Sequence, residues 1–145
     1  MEMGEILEHM MEPKNYGVIE DSDCEGLGEN PQNGEKVALY AKIENNRILD
    51  IKFQAIGCSS TIVAGSIFTD SVKNELIEEA DILADKILDM LDDKPSEEAA
   101  CSEMVVMAYK SMYQNYSDRL KDKNALVVSK SISYSCEIEQ KEENK

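Results

Sequence analysis

The chain has 145 residues, enough for one domain with one hydrophobic core and too few for two of ordinary size. Hydrophobic residues make up 42% and charged residues 31%, the composition of a globular protein in water. A balance of 30 Asp and Glu against 15 Lys and Arg gives a formal net charge of -15, which repels phosphate backbones and argues against nucleic acid as a partner.

No apolar run reaches the length of a membrane span, so no membrane role is expected. The opening "MEMGEILEHM" lacks the basic start and apolar centre of a secretory signal, and a cytoplasmic location is the expectation. In that compartment four cysteines read as free thiols, metal ligands or sulfur carriers before structural disulfides.

In chain order, "GEILEHMMEP" spaces Ile6, Leu7, Met10 and Met11 as a short helix ending at Pro13. Lys14 to Gly34 is rich in glycine and acid and reads as loop, with at most a weak strand. Two strands follow. Val37, Leu39, Ala41 and Ile43 form the apolar face of the first, and Leu49, Ile51, Phe53 and Ala55 that of the second. The separator "ENNR" makes them an antiparallel hairpin with one wet face.

After Cys58 the period becomes helical. Ile62, Val63, Ile67 and Val72 share one side of a helix that Ser59 or Ser60 would cap. "LIEEADILADKILDMLDD" is helical again, through Ile77, Ala80, Leu83, Ala84, Ile87, Leu88 and Leu91, as one bent helix or two short ones. "DDKPS" breaks the pattern, and a long helix follows with Ala100, Met104, Ala108 and Met112 facing inward. The tail reverts to strand period: Val128, Lys130, Ile132, Tyr134, Cys136 and Ile138 alternate with Val127 and serines before a charged end. It would pair with a sheet edge. The expected class is α+β, a small three-stranded antiparallel sheet with helices on one face and an added C-terminal strand.

Cys58 falls at a strand-to-helix junction and Cys101 in the first turns of the long helix. Helix starts present unpaired N–H groups and the positive end of the dipole, which favour the thiolate. One shared site is compatible with this placement, and so is simple packing, since free cysteine is among the most buried residue types.

Three stretches, "ILEHMMEPKNYG", "IKFQAIGCSSTIVAGS" and "ACSEMVVMAYKSMYQNY", resemble the leading helix, central Cys turn and last Cys helix of the IscU/NifU-type iron–sulfur cluster assembly scaffolds. The resemblance runs through residues 1–122, leaving 123–145 as a strand-like extension with a charged tail. It implies a scaffold rather than a turnover enzyme. Such a protein receives sulfur from a cysteine desulfurase, assembles a transient cluster with iron (2Fe–2S in the first instance) and passes it to accepting proteins. Cys58 and Cys101 match the family's second and third cysteines.

The ligand set departs from the family's. Where the family has "A-C-G-D" this chain reads "QNGE", with Asn33 at the cysteine and Glu35 at the aspartate. Ala100 stands at the histidine, and "KPSEE" replaces the family's chaperone-docking "L-P-P-V-K", keeping only Pro95. A 2Fe–2S cluster takes four thiolate or imidazole ligands, and Glu35 is a harder oxygen donor. Three repairs are open: Cys24 folding into the vacant place, two chains bridging one cluster as a homodimer, or a partner or small thiol completing the shell. The expected metal ligands are therefore Cys58, Cys101, Glu35 and Cys24, holding iron, a nascent cluster, or zinc in its place. The rival is a non-assembling paralogue that keeps the fold and binds a cysteine desulfurase or another assembly partner as a regulatory protein.

Other signals are weaker. "DSDCEGLGENPQ" approaches a calcium loop through Asp21, Asp23, Glu25 and Gly26, but Gln32 stands at the bidentate acid position. His9 is the one histidine and no C-x-x-C pair occurs, so no zinc spacing exists. Cys136 reads as a packing residue beside Ile132, Tyr134 and Ile138.

Overall fold

The computed structural model describes residues 11–32, 34–57, 59–91 and 97–132. In chain order they form β1 (Cys24–Asn30), β2 (Glu35–Glu44), β3 (Arg47–Ile56), α1 (Ser59–Val72), α2 (Ile77–Leu91), α3 (Glu97–Lys121) and β4 (Lys130–Ser131). The sheet order is β3-β2-β1-β4; the first three strands are antiparallel and β4 runs parallel to β1. The helices lie on one face of the sheet, giving the α+β class with the C-terminal strand at the edge. The leading helix, Asn33, Cys58 and the tail beyond Ile132 lie outside the described residues.

The β2–β3 hairpin turns on Asn45 and Asn46, with φ of 52° and 63°. A two-residue loop needs positive φ at both centres if the strands are to keep their twist, and asparagine tolerates it. Val37, Leu39 and Ala41 from β2 and Ile51 and Phe53 from β3 are fully buried beneath the helices. Each large one contributes about 1.5–3 kcal/mol of burial.

Leu49 does not join them. The register shifts between Lys42 and Ile43, so Ile43 faces Ile48 while Lys42 faces Asp50, and Leu49 is the extra residue of a bulge. Ile48 turns inward at 0% exposure and Leu49 outward at 44%. Regular alternation from Ile51 therefore misplaces the last turn of the hairpin.

The segment expected as loop contains β1, a seven-residue strand paired along its whole length with β2. "CEGLGEN" carries no β-branched residue, and its reason for being a strand lies in α3. A Cβ on Gly26 would sit 2.1 Å from the Ala108 carbonyl oxygen, and one on Gly28 2.2 Å from that of Met104. Helix backbone lies directly on strand backbone, an approach only glycine permits.

Both sheet edges are covered. On the β3 side Gly17 N–H donates to the Phe53 carbonyl (2.8 Å) and Phe53 N–H to that of Asn15 (2.9 Å). Lys14 N–H and the Asn15 side-chain amide reach Ser66 and Thr69 of α1 at 2.7 and 3.1 Å. The "KNYG" stretch is thus a strap tying β3 to α1. On the other side Leu27 N–H donates to Ser111 Oγ (3.0 Å), whose hydroxyl donates to the Val128 carbonyl (2.6 Å). Glu25 N–H donates to Asn115 Oδ1 (2.9 Å), and the Asn115 amide donates to the Ala125 carbonyl (3.3 Å). Side chains of α3 thus stitch the C-terminal return to β1's outer edge.

α1 and α2 are separate helices. On α1 the buried positions are Thr61, Gly65, Ser66, Phe68, Thr69 and Val72, while Ile62, Val63 and Ile67 are half-buried. The inward face is small because Phe53 packs on it: a Cβ at Gly65 would lie 2.5 Å from the Phe53 ring. On α3 the inward face includes Met104, Ala108 and Met112 as expected, and Ala100 is half-buried. Lys110 ties α3 to α2 through Asp81 (2.7 Å) and Asp85 (2.6 Å). Burial pulls its pKa down, but the bonds to both carboxylates more than offset that and the net shift is upward.

Candidate functional site at the strand end

The direction of α3 against β1 decides what shares a site. Gly26 faces Ala108 and Met112, and Gly28 faces Met104 and Ala108, so the helix runs antiparallel to the strand. Two residues along a strand (about 3.3 Å each) match four along a helix (about 1.5 Å each). Continuing to Asn30, the end of β1, arrives at the helix turn that contains Cys101.

The same end of the sheet holds the turn before Cys58. Asn30 pairs with Glu35 and Lys36 with Ile56, so β1 ends, β2 starts and β3 ends together. The loop between β1 and β2 is closed by Gly34 N–H donating to the Asn30 carbonyl (3.0 Å) and Gln32 N–H to Asn30 Oδ1 (3.1 Å). Gly34 takes φ +77° there, a left-handed conformation that glycine adopts without strain.

Glu35 and Gly57 meet. A Cβ on Gly57 would lie 3.2 Å from Glu35 Oε2 and 3.1 Å from Thr61 Oγ1. The carboxylate therefore lies against the residue that precedes Cys58, and the fully buried Thr61 comes in from the first turn of α1. α1 begins at Ser59, so its N-terminal N–H groups open onto this turn. Cys101, the fifth residue of α3, is buried at 5% exposure. This strand end brings together the Glu35 carboxylate, the Gly57 backbone, the Thr61 hydroxyl and the start of α1, and the turn of α3 that carries Cys101 runs toward it.

Cys24 is not part of it. It pairs with Ala41 at the opposite end of β1, six residues and about 20 Å from Asn30. Its side chain is fully buried in the core. Burial first, then Asp23 and Glu25, push its thiol from 9.0 up to about 12 against the opposing pull of Arg119. Expected as a loop thiol free to fill the ligand gap, it is a strand residue sealed in hydrocarbon. Asp21, Asp23 and Glu25 likewise belong to the approach and body of this strand, not to a calcium loop.

Among the described residues no three His, Cys, Asp or Glu side chains group as a metal site. Ala100, at the family's histidine position, packs against the core and brings no donor. A groove of about 200 Å³ between the helices, lined by Ile67, Phe68, Leu83, Ile87 and Val105, presents mainly hydrocarbon. Among the described residues no helix is long and apolar enough to cross a membrane. Sequence reading missed Thr61, whose only signal is its position three residues after Cys58.

Residues 1–123 match the model of the NifU-like N-terminal domain. The chain belongs to that family. As a NifU-like domain it is 36% identical over 112 residues to the iron–sulfur cluster assembly scaffold protein IscU 1 of Archaeoglobus fulgidus, covering 77% of this chain and 73% of that one. It is 32% identical over 89 residues to the zinc-dependent sulfurtransferase SufU of Bacillus subtilis, covering 61% of this chain and 60% of that one. The crystal structure of a NifU-like N-terminal protein from Brucella abortus superposes with a TM-score of 0.68 over 79% of this chain and 93% of that one. At 15% identity that likeness is one of fold. The match to residues 1–123 ends where the C-terminal return begins.

Proposed function

We propose that this NifU-like domain serves iron–sulfur cluster assembly as a scaffold-like protein, taking up sulfur and holding iron or a nascent 2Fe–2S unit at Cys58 and Cys101. The observation that supports this best is the contact of Glu35 with Gly57 at the strand end toward which Cys101's helix turn runs. Iron and sulfide are cargo here. The Cys58 thiolate attacks the outer sulfur of a desulfurase persulfide. A new sulfur–sulfur bond forms on Cys58, the donor's breaks, and the donor cysteine leaves as thiolate. Glu35 assists by binding iron or by taking the thiol proton. Zinc suits the same donors, and a zinc-dependent relative is in keeping with it.

Anaerobic incubation with iron, cysteine and a desulfurase tests this reading. The expected result is visible sulfur-to-iron charge-transfer absorption that Cys58→Ser abolishes. A colourless product, under conditions where a scaffold with the full family ligand set colours, overturns it. A second reading draws on Ala100: with no donor at that position, the chain acts as a desulfurase-binding regulatory partner. Desulfurase capture that survives Cys58→Ser and Cys101→Ser together, with no colour in the wild type, selects that reading.

A further inference from the structure

We propose that the cleft between α1 and α2 is a docking groove for an amphipathic helix of another protein, one whose apolar face carries a large anchor side chain and whose flanks are basic. This goes beyond the scaffold reading and needs neither metal nor sulfur at the strand end.

Three observations lead there. First, the helices leave a gap. α1 and α2 are joined by residues 73–76, yet each packs on α3 and hardly on the other. The space between them is the groove of about 200 Å³, with Phe68, Val105 and Val106 as its floor. A dry cavity of roughly 150 Å³ holds one benzene ring, and sites for whole small molecules start near 300 Å³. The groove therefore suits the anchor of a helix better than a cofactor.

Second, both helices turn apolar side chains to it. α2 buries Ile77, Ala80 and Ala84 in the core. Its Leu83 and Ile87 lie to one side and line the groove, and Met90 continues that stripe at 73% exposure. An apolar stripe beyond the one the core covers is a face suited to a partner. On α1 the inward positions are small or polar apart from Phe68 and Val72, while Ile67 lines the groove and stays half-buried.

Third, the surrounding charge is one-sided. The exposed charged residues between positions 60 and 90 are acidic, Asp70, Glu75, Glu79 and Asp89 among them, with Lys86 the one exception. Half-buried Lys73 is already paired with Asp50 (3.4 Å). On a chain of net charge -15 this favours a cationic partner and tells against a second copy, which would bring the same acids. One end of the groove is Ser102, the neighbour of Cys101, so the docked helix would lie beside the candidate site.

The test is a titration of isotope-labelled, metal-free protein with an amphipathic Leu/Lys helix of about five turns, followed by amide shifts. The same peptide in scrambled order and a Leu/Glu helix are the comparisons. Shifts confined to residues 64–71, 83–90 and 102–106 are the expected result, with no binding of the Leu/Glu helix and ~10-fold weaker binding of the scrambled peptide. Ile67→Ala should weaken binding ~5-fold or more, and Met90→Gln, at a position outside the core, ~3-fold with melting unchanged.

Shifts spread over the acidic surface, or equal binding of the scrambled peptide, would reduce the interaction to charge and overturn the proposal. Groove shifts that grow with protein concentration alone would give the face to a second copy. Overhauser contacts from residues 1–10 to Ile67 and Ile87 would give it to the chain's own N-terminus. Each of these overturns the docking site and leaves the scaffold reading to its own test.

Discussion

The carboxylate of Glu35 lies 3.2 Å from the point where a side chain on Gly57 would begin. The start of β2 and the turn after β3 are thereby locked together one residue before Cys58, and the scaffold reading gives this acid a metal or a thiol proton to handle.

Gly57→Ala tests that lock. The new methyl would press on Glu35 and Thr61 at 3.1–3.3 Å, close enough to turn the carboxylate aside without opening the core. Cobalt affinity is expected to fall ~10-fold or more with melting little changed, as read by titration beside calorimetry. Unaltered affinity would remove Glu35 from the site.

Gly28→Ala tests the backbone contact that aims α3. Its Cβ would meet helix backbone at 2.2 and 2.7 Å, which no rotamer relieves. The expected cost is at least ~1–3 kcal/mol in urea unfolding, the range for overpacking. Gly34→Ala, whose Cβ meets nothing but whose φ is +77°, should cost less, ~1 kcal/mol.

These two positions also show what could be read from sequence. The β2–β3 hairpin was legible because burial on one face writes itself as alternation, and Asn45-Asn46 is a turn signal. β1 was not: its strand identity comes from glycines that accept a helix from elsewhere in the chain, a long-range contact without a local pattern. Leu49 was assigned to the wrong face because a bulge moves parity by one and leaves no mark in composition. On α1, size mattered more than hydrophobicity, since Gly65 makes room for Phe53 while Ile62 and Ile67 stay half-buried. Cys58, Cys101 and Glu35 were singled out by the family resemblance, since position alone leaves the two thiols open to packing and Glu35 a solvated acid, whereas Cys24 could be placed only once β1 was known.

Cys24 carries a pH signature. Its thiol is raised from 9.0 to about 12, so the folded state holds a proton that the unfolded chain gives up. The stability it contributes is fully present below pH ~9 and lost as pH rises toward ~12, by up to about 4 kcal/mol. Tyr109, pushed upward by burial and then by Asp81, Tyr113 and Cys24, acts in the same direction. Urea unfolding between pH 8 and 11, in wild type and Cys24→Ala, should show a shallower alkaline decline in the variant. Parallel declines would contradict the burial of this thiol.

Ser111→Ala is expected to free the return. It leaves Leu27 N–H without its acceptor and the Val128 carbonyl without its donor, at a cost of about 1–3 kcal/mol. Hydrogen exchange at Leu27 and proteolysis within residues 123–132 should both quicken. Unchanged protection would mean that β4 pairing and the Asn115 and Arg119 bonds to Ala125 hold the return without Ser111.

Cobalt(II) titration of the wild type, Cys58→Ser and Cys101→Ser under anaerobic conditions asks most directly whether one site spans the two helix starts. Thiolate-to-metal absorption in the near ultraviolet should weaken in each variant, because both sulfurs bind the same ion. A Cys101→Ser spectrum identical to the wild type in intensity and midpoint would show that the helix thiol stands apart from the turn, and the shared site would be refuted.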